Sequence, residues 1–342
     1  MNRPEAGEPV GAPAGQPAGA PVSQPASLPA QELIYGCMGL GGTWSPEPHS
    51  SAHVDEAAAA VDAALAVGIT LFDHADIYRG GKSEAVFGEV LAQTPGLRDR
   101  IRLQTKCGIR LNEHGLEGYY DLSRDAILAR VNESLGRLRT DYVDVLMLHR
   151  PDPLMDPAEV ASAVGQLMAE GKVRALGVSN MSGAQIEVLQ DRLETPVVAN
   201  QLEMSLYKRA WLESTVLVNH AEGTDYSFPH GTVEHCVRHG ITLQAYGSLA
   251  RGLYTGAPAA APSAAEEATA RLVAELAAEK GTTGESVVLG WLMKHPAGIA
   301  PVVGTANPDR IRACADGAGV AAAMTRTEWY RLWVTARGSS IP

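Results

Sequence analysis

The sequence predicts a single (β/α)8 barrel. Three observations support this fold class: eight short apolar runs, a helix-like segment after each run, and a suitable chain length. Strands buried on both faces of a parallel sheet read as short, continuous apolar runs. Eight consecutive strand–helix units within about 300 residues suit a closed barrel better than the alternative, an open doubly wound sheet. The predicted strands are 34–39, 70–72, 101–105, 143–148, 173–178, 197–201, 241–246 and 299–303.

The segments between these strands have the apolar spacing of amphipathic helices. Two of them begin with residues that favour a helix N-terminus, Ser123 in one case and Asp156 followed by Pro157 in the other. The spacing between successive units varies and no residue pattern recurs from unit to unit, so the sequence does not indicate a solenoid. The predicted helices are 54–67, 83–91, 123–138, 157–170, 183–192, 231–239, 265–280 and 308–316.

Two segments have a composition unlike that of the barrel. Residues 1–30 contain 7 Pro, 7 Ala and 4 Gly, and such a segment buries too little apolar surface to offset its ordering entropy. We therefore expect a disordered tail over 1–30 and a barrel domain with extended catalytic-face loops over 31–342. Prolines interrupt any apolar signal-peptide core in the tail. Residues 256–268 are expected to form a flexible surface loop.

Composition and charge exclude several functional classes. The chain has 28 Lys and Arg against 39 Asp and Glu, which argues against nucleic-acid binding, because phosphate neutralisation needs a basic face. It lacks an apolar run of roughly 18–20 residues, so we expect no membrane span. The four cysteines are widely spaced, without a CxxC pattern, which indicates reduced thiols and a cytoplasmic protein. We expect a small-molecule partner.

A glycine-rich segment follows the first predicted strand. The string GCMGLGG at 36–42 resembles part of the GxGxxG dinucleotide fingerprint, but the third glycine would have to stand at position 44, where the chain has Trp44. A Rossmann domain is therefore disfavoured. We expect a loop that approaches a ligand closely at the mouth of the barrel.

Polar side chains follow successive predicted strands where each one ends. Asp73, Lys106 and His149 come directly after the second, third and fourth strands. Because barrel active sites lie at the C-terminal ends of the strands, we expect these three side chains to converge at one mouth. Each alone has an ordinary structural explanation, so the inference rests on their convergence.

This set of residue types supports proton transfer to a carbonyl oxygen. A tyrosine such as Tyr78 is a weak acid, with an ordinary pKa of about 10. An adjacent ammonium is expected to stabilise its phenolate and lower that pKa, while a carboxylate keeps the ammonium charged. A neutral imidazole then donates a hydrogen bond to the carbonyl oxygen.

Ordered motifs on strand after strand resemble the aldo-keto reductase superfamily. The resemblance runs from about residue 33 to the C-terminus, and the last of the motifs is similar to a bacterial branch. The motifs are FDHADIY at 72–78, LQTKCG at 103–108, TDYVDVLMLHRPDP at 140–153, GKVRALGVSN at 171–180, VANQLEMSL at 198–206, QAYGSL at 244–249, PVVGTANPDRI at 301–311 and MTRTEWYRLW at 324–333.

The resemblance implies a catalytic tetrad and an activity. Tyr78 would be the proton donor, Lys106 and Asp73 the pair that tunes it, and His149 the residue that orients the carbonyl. The implied reaction is NADPH-dependent reduction of an aldehyde or ketone to an alcohol by hydride transfer.

The resemblance also implies the residues that hold NADPH. It assigns the carboxamide to Ser179, Asn180 and Gln201, the stacking on the nicotinamide ring to Tyr246, the pyrophosphate to the loop with Gly247, Ser248, Leu249 and Arg251, and the adenosine phosphate to Gly304, Thr305, Asn307 and Arg310. Gly42 and Thr43 complete the predicted cofactor residues. Since a planar guanidinium suits a 2′-phosphate, Arg310 favours NADPH over NADH.

Three departures from the family pattern concern the loops. Gly304 stands where many members have a lysine, which removes one phosphate contact, and Gly247 is expected to loosen the pyrophosphate loop. The long polar segment 212–229 is expected to shape the substrate pocket together with Trp44, Tyr119, Tyr120 and Tyr207.

Two alternatives remain open from the sequence, and one possible metal site is disfavoured. Lys106 in the same fold could serve a Schiff-base aldolase, and a nucleotide-sensing barrel that regulates a partner, like the channel β-subunits of this superfamily, would keep the cofactor residues. His235 and His239 stand four residues apart near His230 and Cys236, but without a general base they indicate a solvated helix face rather than a metal site. No motif specifies the substrate or the oligomeric state.

Overall fold

The computed structural model describes residues 32–257 and 261–342, so the predicted disordered tail at 1–30 lies outside the described residues. Eight parallel strands close into a barrel in the order β1-β10-β9-β8-β7-β6-β3-β2, which confirms the predicted fold class. A separate antiparallel hairpin consists of β4 and β5. The strands are β1 (Ile34–Gly36), β2 (Leu71–Asp73), β3 (Arg102–Cys107), β4 (Ile109–Glu113), β5 (Leu116–Tyr120), β6 (Val143–Leu148), β7 (Val173–Ser179), β8 (Val197–Glu203), β9 (Thr242–Tyr246) and β10 (Ala300–Val303).

The helices between and after these strands lie on the outside of the barrel. Short 3-10 turns at Cys37–Gly39, Tyr78–Gly81, Ala221–Asp225 and Ala250–Gly252 complete the loops. The helices are α1 (Ser51–Ala66), α2 (Lys82–Gln93), α3 (Leu97–Arg100), α4 (Arg124–Leu138), α5 (Pro157–Ala169), α6 (Gly183–Gln190), α7 (Ala210–Val216), α8 (Thr232–His239), α9 (Ala264–Lys280), α10 (Gly284–Met293), α11 (Pro308–Arg312), α12 (Gly317–Ala323) and α13 (Arg326–Arg337).

Each predicted strand and helix overlaps an observed one, and the differences have local causes. The first predicted strand ends early because 37–39 form a 3-10 turn. Asp156 accepts a hydrogen bond from the Ala158 amide as the N-cap of α5. Ser123 also occupies an N-cap, but its hydroxyl donates to Asp121 Oδ1 at 2.7 Å and caps no amide of α4.

The predicted flexible loop at 256–268 is wrong at its C-terminal end. Helix α9 begins at Ala264, and a reciprocal capping box between Ser263 and Glu266 fixes its first turn. Residues 258–260 lie outside the described part of the chain.

The interior of the barrel changes from apolar to polar along its axis. Because strand side chains alternate with a period of two, Leu71 and Asp73 of β2 both point inward, as do Val145 and Met147 of β6. An apolar cluster fills the barrel below the strand ends, where Met147 occupies the space that Gly177 leaves open. Among the described residues that point into the barrel, charged and amide side chains such as Asp73, Lys106 and Gln201 lie at the C-terminal mouth.

The C-terminal helix α13 packs through tryptophans. Trp291 and Trp329 stack at 5.2 Å between ring centroids and exchange hydrogen bonds from each indole N–H to the other residue's carbonyl, at 3.1 and 2.9 Å. Trp333 donates to the buried Glu213 of α7 at 2.8 Å. The tryptophan pair thus joins α10 to α13, and the bond to Glu213 joins α7 to α13.

No helix among the described residues combines the length and the apolar character needed to cross a lipid bilayer.

Helices α2 and α4 approach so closely at Gly88 that a side chain cannot enter. A Cβ at Gly88 would lie 2.1 Å from the Arg137 carbonyl oxygen and 2.9 Å from the Leu138 carbonyl carbon, and this backbone cannot rotate away. We expect Gly88→Ala to lower the stability by about 1–3 kcal/mol or more, measured as a fall in Tm.

Gly136 of α4 is the matched control, because a Cβ there meets no atom within 4 Å. Gly136→Ala is expected to raise stability by up to about 1 kcal/mol. Equal effects of the two substitutions would contradict the close approach of α2 and α4.

Candidate active site

The structure brings the predicted Asp73, Tyr78, Lys106 and His149 together at the mouth of the barrel. The fully buried Lys106 Nζ donates to both Asp73 carboxylate oxygens at 2.6 and 2.7 Å and to the Tyr78 hydroxyl at 3.1 Å. A further bond from Nζ reaches the His74 carbonyl at 3.0 Å. The rings of Tyr78 and His149 meet edge to face at 5.9 Å.

Lys106 is a cation in this environment. Burial opposes its charged form, yet its pKa is raised, because Asp73 and Tyr78 attract the ammonium and accept hydrogen bonds from it. Both oxygens of Asp73 are used by this ammonium. The pair is therefore held as a charged unit inside the barrel.

The pKa of Tyr78 shifts in the direction opposite to the sequence-based expectation. Burial, the largest cause, raises it above its ordinary value, and the lowering by the adjacent Lys106 ammonium does not offset burial. Tyr78 is therefore a protonated phenol across the neutral range.

His149 is a neutral imidazole. Burial lowers its pKa well below the ordinary value, and the charges of Lys106 and Arg150 lower it further. Its Nδ1 is buried and has no hydrogen-bonding partner among the described residues. A phenol proton and a neutral imidazole thus share one edge of the barrel, where they can donate to the same oxygen atom.

Three buried glutamines surround Asp73, and the sequence analysis identified only Gln201. Gln104 Nε2 donates to Asp73 Oδ1 at 2.6 Å and Gln201 Nε2 donates to the same atom at 3.2 Å. Gln244 Oε1 accepts from both amides, at 2.8 and 3.0 Å. The period of two along β3 and β9 was the available signal, because Gln104 and Gln244 precede Lys106 and Tyr246 by two residues.

The residues predicted to hold a carboxamide form one hydrogen-bonded chain beside His149. Tyr246 donates its hydroxyl proton to Asn180 Oδ1 at 3.0 Å, and Asn180 Nδ2 donates to the His149 carbonyl at 3.2 Å. Ser179 Oγ accepts from Asn180 Nδ2 at 2.9 Å and donates to the Gln201 carbonyl at 2.8 Å. Asn180 has a left-handed φ of 58°, which turns its side chain back across the strand ends.

The predicted pyrophosphate residues lie on the rim formed by β9 and β10. Gly247 has a φ of 66°, a conformation that favours glycine. Ser248 Oγ donates to the Val302 carbonyl at 2.8 Å, which ties the two strand ends together. Leu249 is the N-cap of the 3-10 turn that follows, and the exposed Arg251 lies within that turn.

Arg310 is partly neutralised by this chain's own residues. Its Nη2 lies 3.0 Å from Thr255 Oγ1 and 3.4 Å from Glu285 Oε1. Asn307 caps the helix that carries Arg310, because its Oδ1 accepts from the amides of Asp309 and Arg310. Nearby, Thr305 accepts a hydrogen bond at its carbonyl from the Tyr35 hydroxyl, and Gly304 leaves the rim open.

The other side of the mouth is formed by the loop after β1. Gly42 has a φ of 81° and lies against the His53 ring, and Thr43 donates to Ser45. The half-exposed Trp44 ring lies 5.5 Å from the Arg79 guanidinium, next to Tyr78. Of the predicted pocket residues, Trp44 thus contacts the residue that follows Tyr78.

The remaining predicted pocket residues make no hydrogen bond or ring contact with the described tetrad side chains. Tyr119 donates to Glu113 Oε2 at 3.3 Å within the hairpin, and Tyr120 is exposed beside it. Tyr207 is exposed, with Lys208 at 5.7 Å from its ring. The segment 212–229 is not polar and exposed throughout, because Leu212 is buried in α7.

The histidine pair on α8 is not a purely solvated face. His235 is mostly covered, and its Nδ1 lies 3.2 Å from Glu187 Oε1 of α6. His239 stacks on it at 4.5 Å between ring centroids. The pair joins α6 to α8 on the outside of the barrel.

Asp76 is a buried carboxylate that the sequence analysis overlooked inside FDHADIY. Neither oxygen accepts a well-formed hydrogen bond, and the nearest cation atom, Arg130 Nε, is 3.8 Å away. Burial, together with the nearby Glu84, raises the pKa of Asp76 from 3.8 to about 7. Because this pKa is raised, ionisation costs native-state stability. The cost grows from pH 3.8 upward and is complete above about pH 7.

We expect Asp76→Asn to remove that cost. The Tm should rise by about 3 °C or more at about pH 8 and change little at about pH 3, where the carboxyl is mostly neutral in both the folded and the unfolded state. Thermal unfolding across this pH range measures the effect. Asp62→Asn on the exposed face of α1 is the control, and a pH-independent effect of Asp76→Asn would contradict the raised pKa.

Comparison with known proteins identifies the family of this chain. The model of the aldo/keto reductase family matches residues 32–319. The 6-dehydroglucose reductase of Agrobacterium fabrum is 36% identical, over 90% of this chain and 95% of its own. The uncharacterized oxidoreductase YcsN of Bacillus subtilis is 37% identical, over 80% and 86%.

Solved structures share the fold. The glycerol dehydrogenase AKR11B4 from Gluconobacter oxydans superposes with a TM-score of 0.73 at 23% identity, over 93% of this chain and 96% of its own. The thermostable aldo-keto reductase Tm1743 superposes with a TM-score of 0.68 at 25% identity, over 90% and 95%. The match of the family model over most of the sequence, and the relatives that it resembles along their length, show that this chain belongs to the aldo/keto reductase family.

Proposed function

We propose that this chain is an NADPH-dependent carbonyl reductase that converts an aldehyde or ketone into an alcohol. The observation that carries the proposal is the Lys106 ammonium, which contacts the Tyr78 hydroxyl and the Asp73 carboxylate at the same time, beside the neutral His149. Family membership supports oxidoreductase chemistry on carbonyl groups.

Each member of the tetrad has a role that follows from its charge. Tyr78 donates its phenol proton to the carbonyl oxygen as negative charge develops there. Lys106 stabilises the phenolate that remains, and Asp73 keeps the buried ammonium charged and oriented. His149 donates a hydrogen bond to the same oxygen, which a neutral ring at this position permits.

The residues at the mouth fit a nicotinamide cofactor. Asn180, Ser179 and Gln201 present amide and hydroxyl groups matched to a carboxamide, and the half-buried Tyr246 ring offers a stacking face. Gly247 and Ser248 would hold the pyrophosphate, with Arg310 on the 2′-phosphate. NADPH, when bound, supplies the hydride for the carbonyl carbon.

A Schiff-base aldolase is less well supported. Such an enzyme needs a neutral amine as nucleophile, whereas the pKa of Lys106 is raised. The hydrogen bonds of its ammonium go to Asp73, Tyr78 and the His74 carbonyl. The nitrogen of Lys106 therefore has no free lone pair to attack a carbonyl, and its protons are bonded to these three groups.

The proposal also covers the cellular location and the class of substrate. All four cysteines lie in the described residues and are buried, unpaired thiols, which suits the cytoplasm. Two relatives, at 36% and 34% identity, are 6-dehydroglucose reductases. Sugar-derived aldehydes therefore belong in the first substrate screen.

Tyr78→Phe should abolish most of the activity and leave cofactor binding intact. Loss of a general acid lowers kcat by about 10²–10⁴-fold, while the NADPH Kd should stay within about threefold, because the cofactor residues are unchanged. NADPH oxidation and calorimetry measure the two quantities. Tyr142→Phe is the control, because Tyr142 directly precedes β6 at the end of that strand away from the active-site mouth. Full activity in Tyr78→Phe would refute the mechanism.

Arg310→Ala should weaken NADPH more than NADH. Loss of a charge-assisted contact with the 2′-phosphate costs about 1.5–3 kcal/mol, so the NADPH Kd should rise about 10–100-fold while that for NADH changes little. Glu285→Gln should tighten NADPH binding, because it removes the carboxylate that competes for Arg310. Fluorescence titration with both nucleotides measures this, and equal losses for both in Arg310→Ala would exclude the assignment.

A further inference from the structure

A cavity of about 440 Å³ opens beside the predicted carboxamide residues, and most of its lining residues have no role in the reaction proposed above. Asn180 and Tyr246 form its inner wall, and Leu202 and Phe228 contribute apolar surface. Two cations, Arg150 and Lys208, line it as well. Since Tyr246 donates to Asn180 and Asn180 donates to the His149 carbonyl, the inner wall of the cavity is hydrogen-bonded to the tetrad.

Arg150 is a half-buried guanidinium without an acidic partner. No Asp or Glu oxygen among the described residues lies within 4.0 Å of its nitrogens, although the whole chain has 39 acidic residues for 28 basic ones. It interacts with the Tyr246 hydroxyl and follows His149 directly. Its charge is close enough to lower the pKa of His149.

Lys208 is a second cation without an acidic partner among the described residues. The backbone N–H of Lys208 donates a hydrogen bond to Ser205 Oγ at 2.8 Å, which fixes the backbone from which the side chain extends. Glu203 is the one acidic residue in the cavity lining, and it is exposed. The charged groups that face the cavity are therefore two positive and one negative.

We propose that this cavity binds an anionic group of the substrate, a carboxylate or a phosphate ester, through Arg150 with help from Lys208. The inference rests on the proposed carbonyl reduction and names its substrate class: aldehydes or ketones that carry an anion a few bonds from the carbonyl. A planar guanidinium binds two oxygens of one anion at once. Since Arg150 adjoins His149, an anion held there orients the carbonyl toward the tetrad.

The test compares para-carboxybenzaldehyde with methyl para-formylbenzoate, which has the same ring and no charge. We expect kcat/KM for the acid to exceed that for the ester by about tenfold or more at low salt. Arg150→Gln should bring this ratio close to one, and Lys208→Gln should lower it by a smaller factor. Arg192→Gln, an exposed arginine after α6, is the matched control and should leave the ratio unchanged.

A second pair, glycolaldehyde phosphate and glycolaldehyde, distinguishes a phosphate from a carboxylate. Calorimetric titration with para-carboxybenzyl alcohol tests the site without turnover, and Arg150→Gln should weaken this binding about tenfold or more. If neither aldehyde reacts, carbonyl reduction fails as the function, and this titration still decides the anion site.

Three results would overturn the anion site. One is an acid-to-ester ratio that Arg150→Gln leaves unchanged. Another is a loss of NADPH affinity in Arg150→Gln that is as large as its loss of activity on the carboxylate aldehyde. That result would assign Arg150 to the cofactor. The third is a preference for the neutral 6-dehydroglucose over every anionic aldehyde tested.

Discussion

The ion pair between Lys106 and Asp73 is the interaction on which the mouth of the barrel depends. Moving two charges out of water costs several kcal/mol for each ion unless their geometry is good and the remaining valences are filled. Here the ammonium donates to both carboxylate oxygens, and Gln104 and Gln201 supply further donors to Asp73. The amide network with Gln244 connects three strands around the pair. The apolar cluster below the pair offers no polar group, so the two charges are satisfied by each other, by these amides, and by the Tyr78 hydroxyl and the His74 carbonyl.

This pair also determines the protonation of its neighbours. Burial alone would hold Tyr78 in its phenol form, and Lys106 is the group that makes loss of the proton feasible during a reaction. The same positive charge disfavours protonation of His149 and of His74, whose pKa burial lowers to about 3. Burial and this one cation together keep the two imidazoles neutral, and the cation leaves Tyr78 an acid that can release its proton.

The sequence predicts the barrel well because its strands are buried on both faces and read as apolar runs. It predicts that Asp73, Lys106 and His149 converge because they stand at the ends of successive strands, whereas the role of Tyr78 follows from the family resemblance. The hairpin β4–β5 was missed because both of its faces are largely exposed, so its residues show no apolar alternation. The contact between Arg310 and Glu285 joins residues 25 apart on different elements, and no local pattern reports it. Asp76 was overlooked because its orphaned oxygens are a property of packing.

The five tryptophans divide into two optical populations. Trp211, Trp291, Trp329 and Trp333 lie within one buried aromatic cluster, with ring centroids 5.2–6.0 Å apart along the chain of contacts. Trp44 alone is half exposed, at the mouth beside Arg79. The clustered indoles exchange excitation energy among themselves and emit at short wavelength from an apolar environment. A ligand that enters the mouth therefore changes chiefly the long-wavelength emission of Trp44, and unfolding of α13 changes the rest.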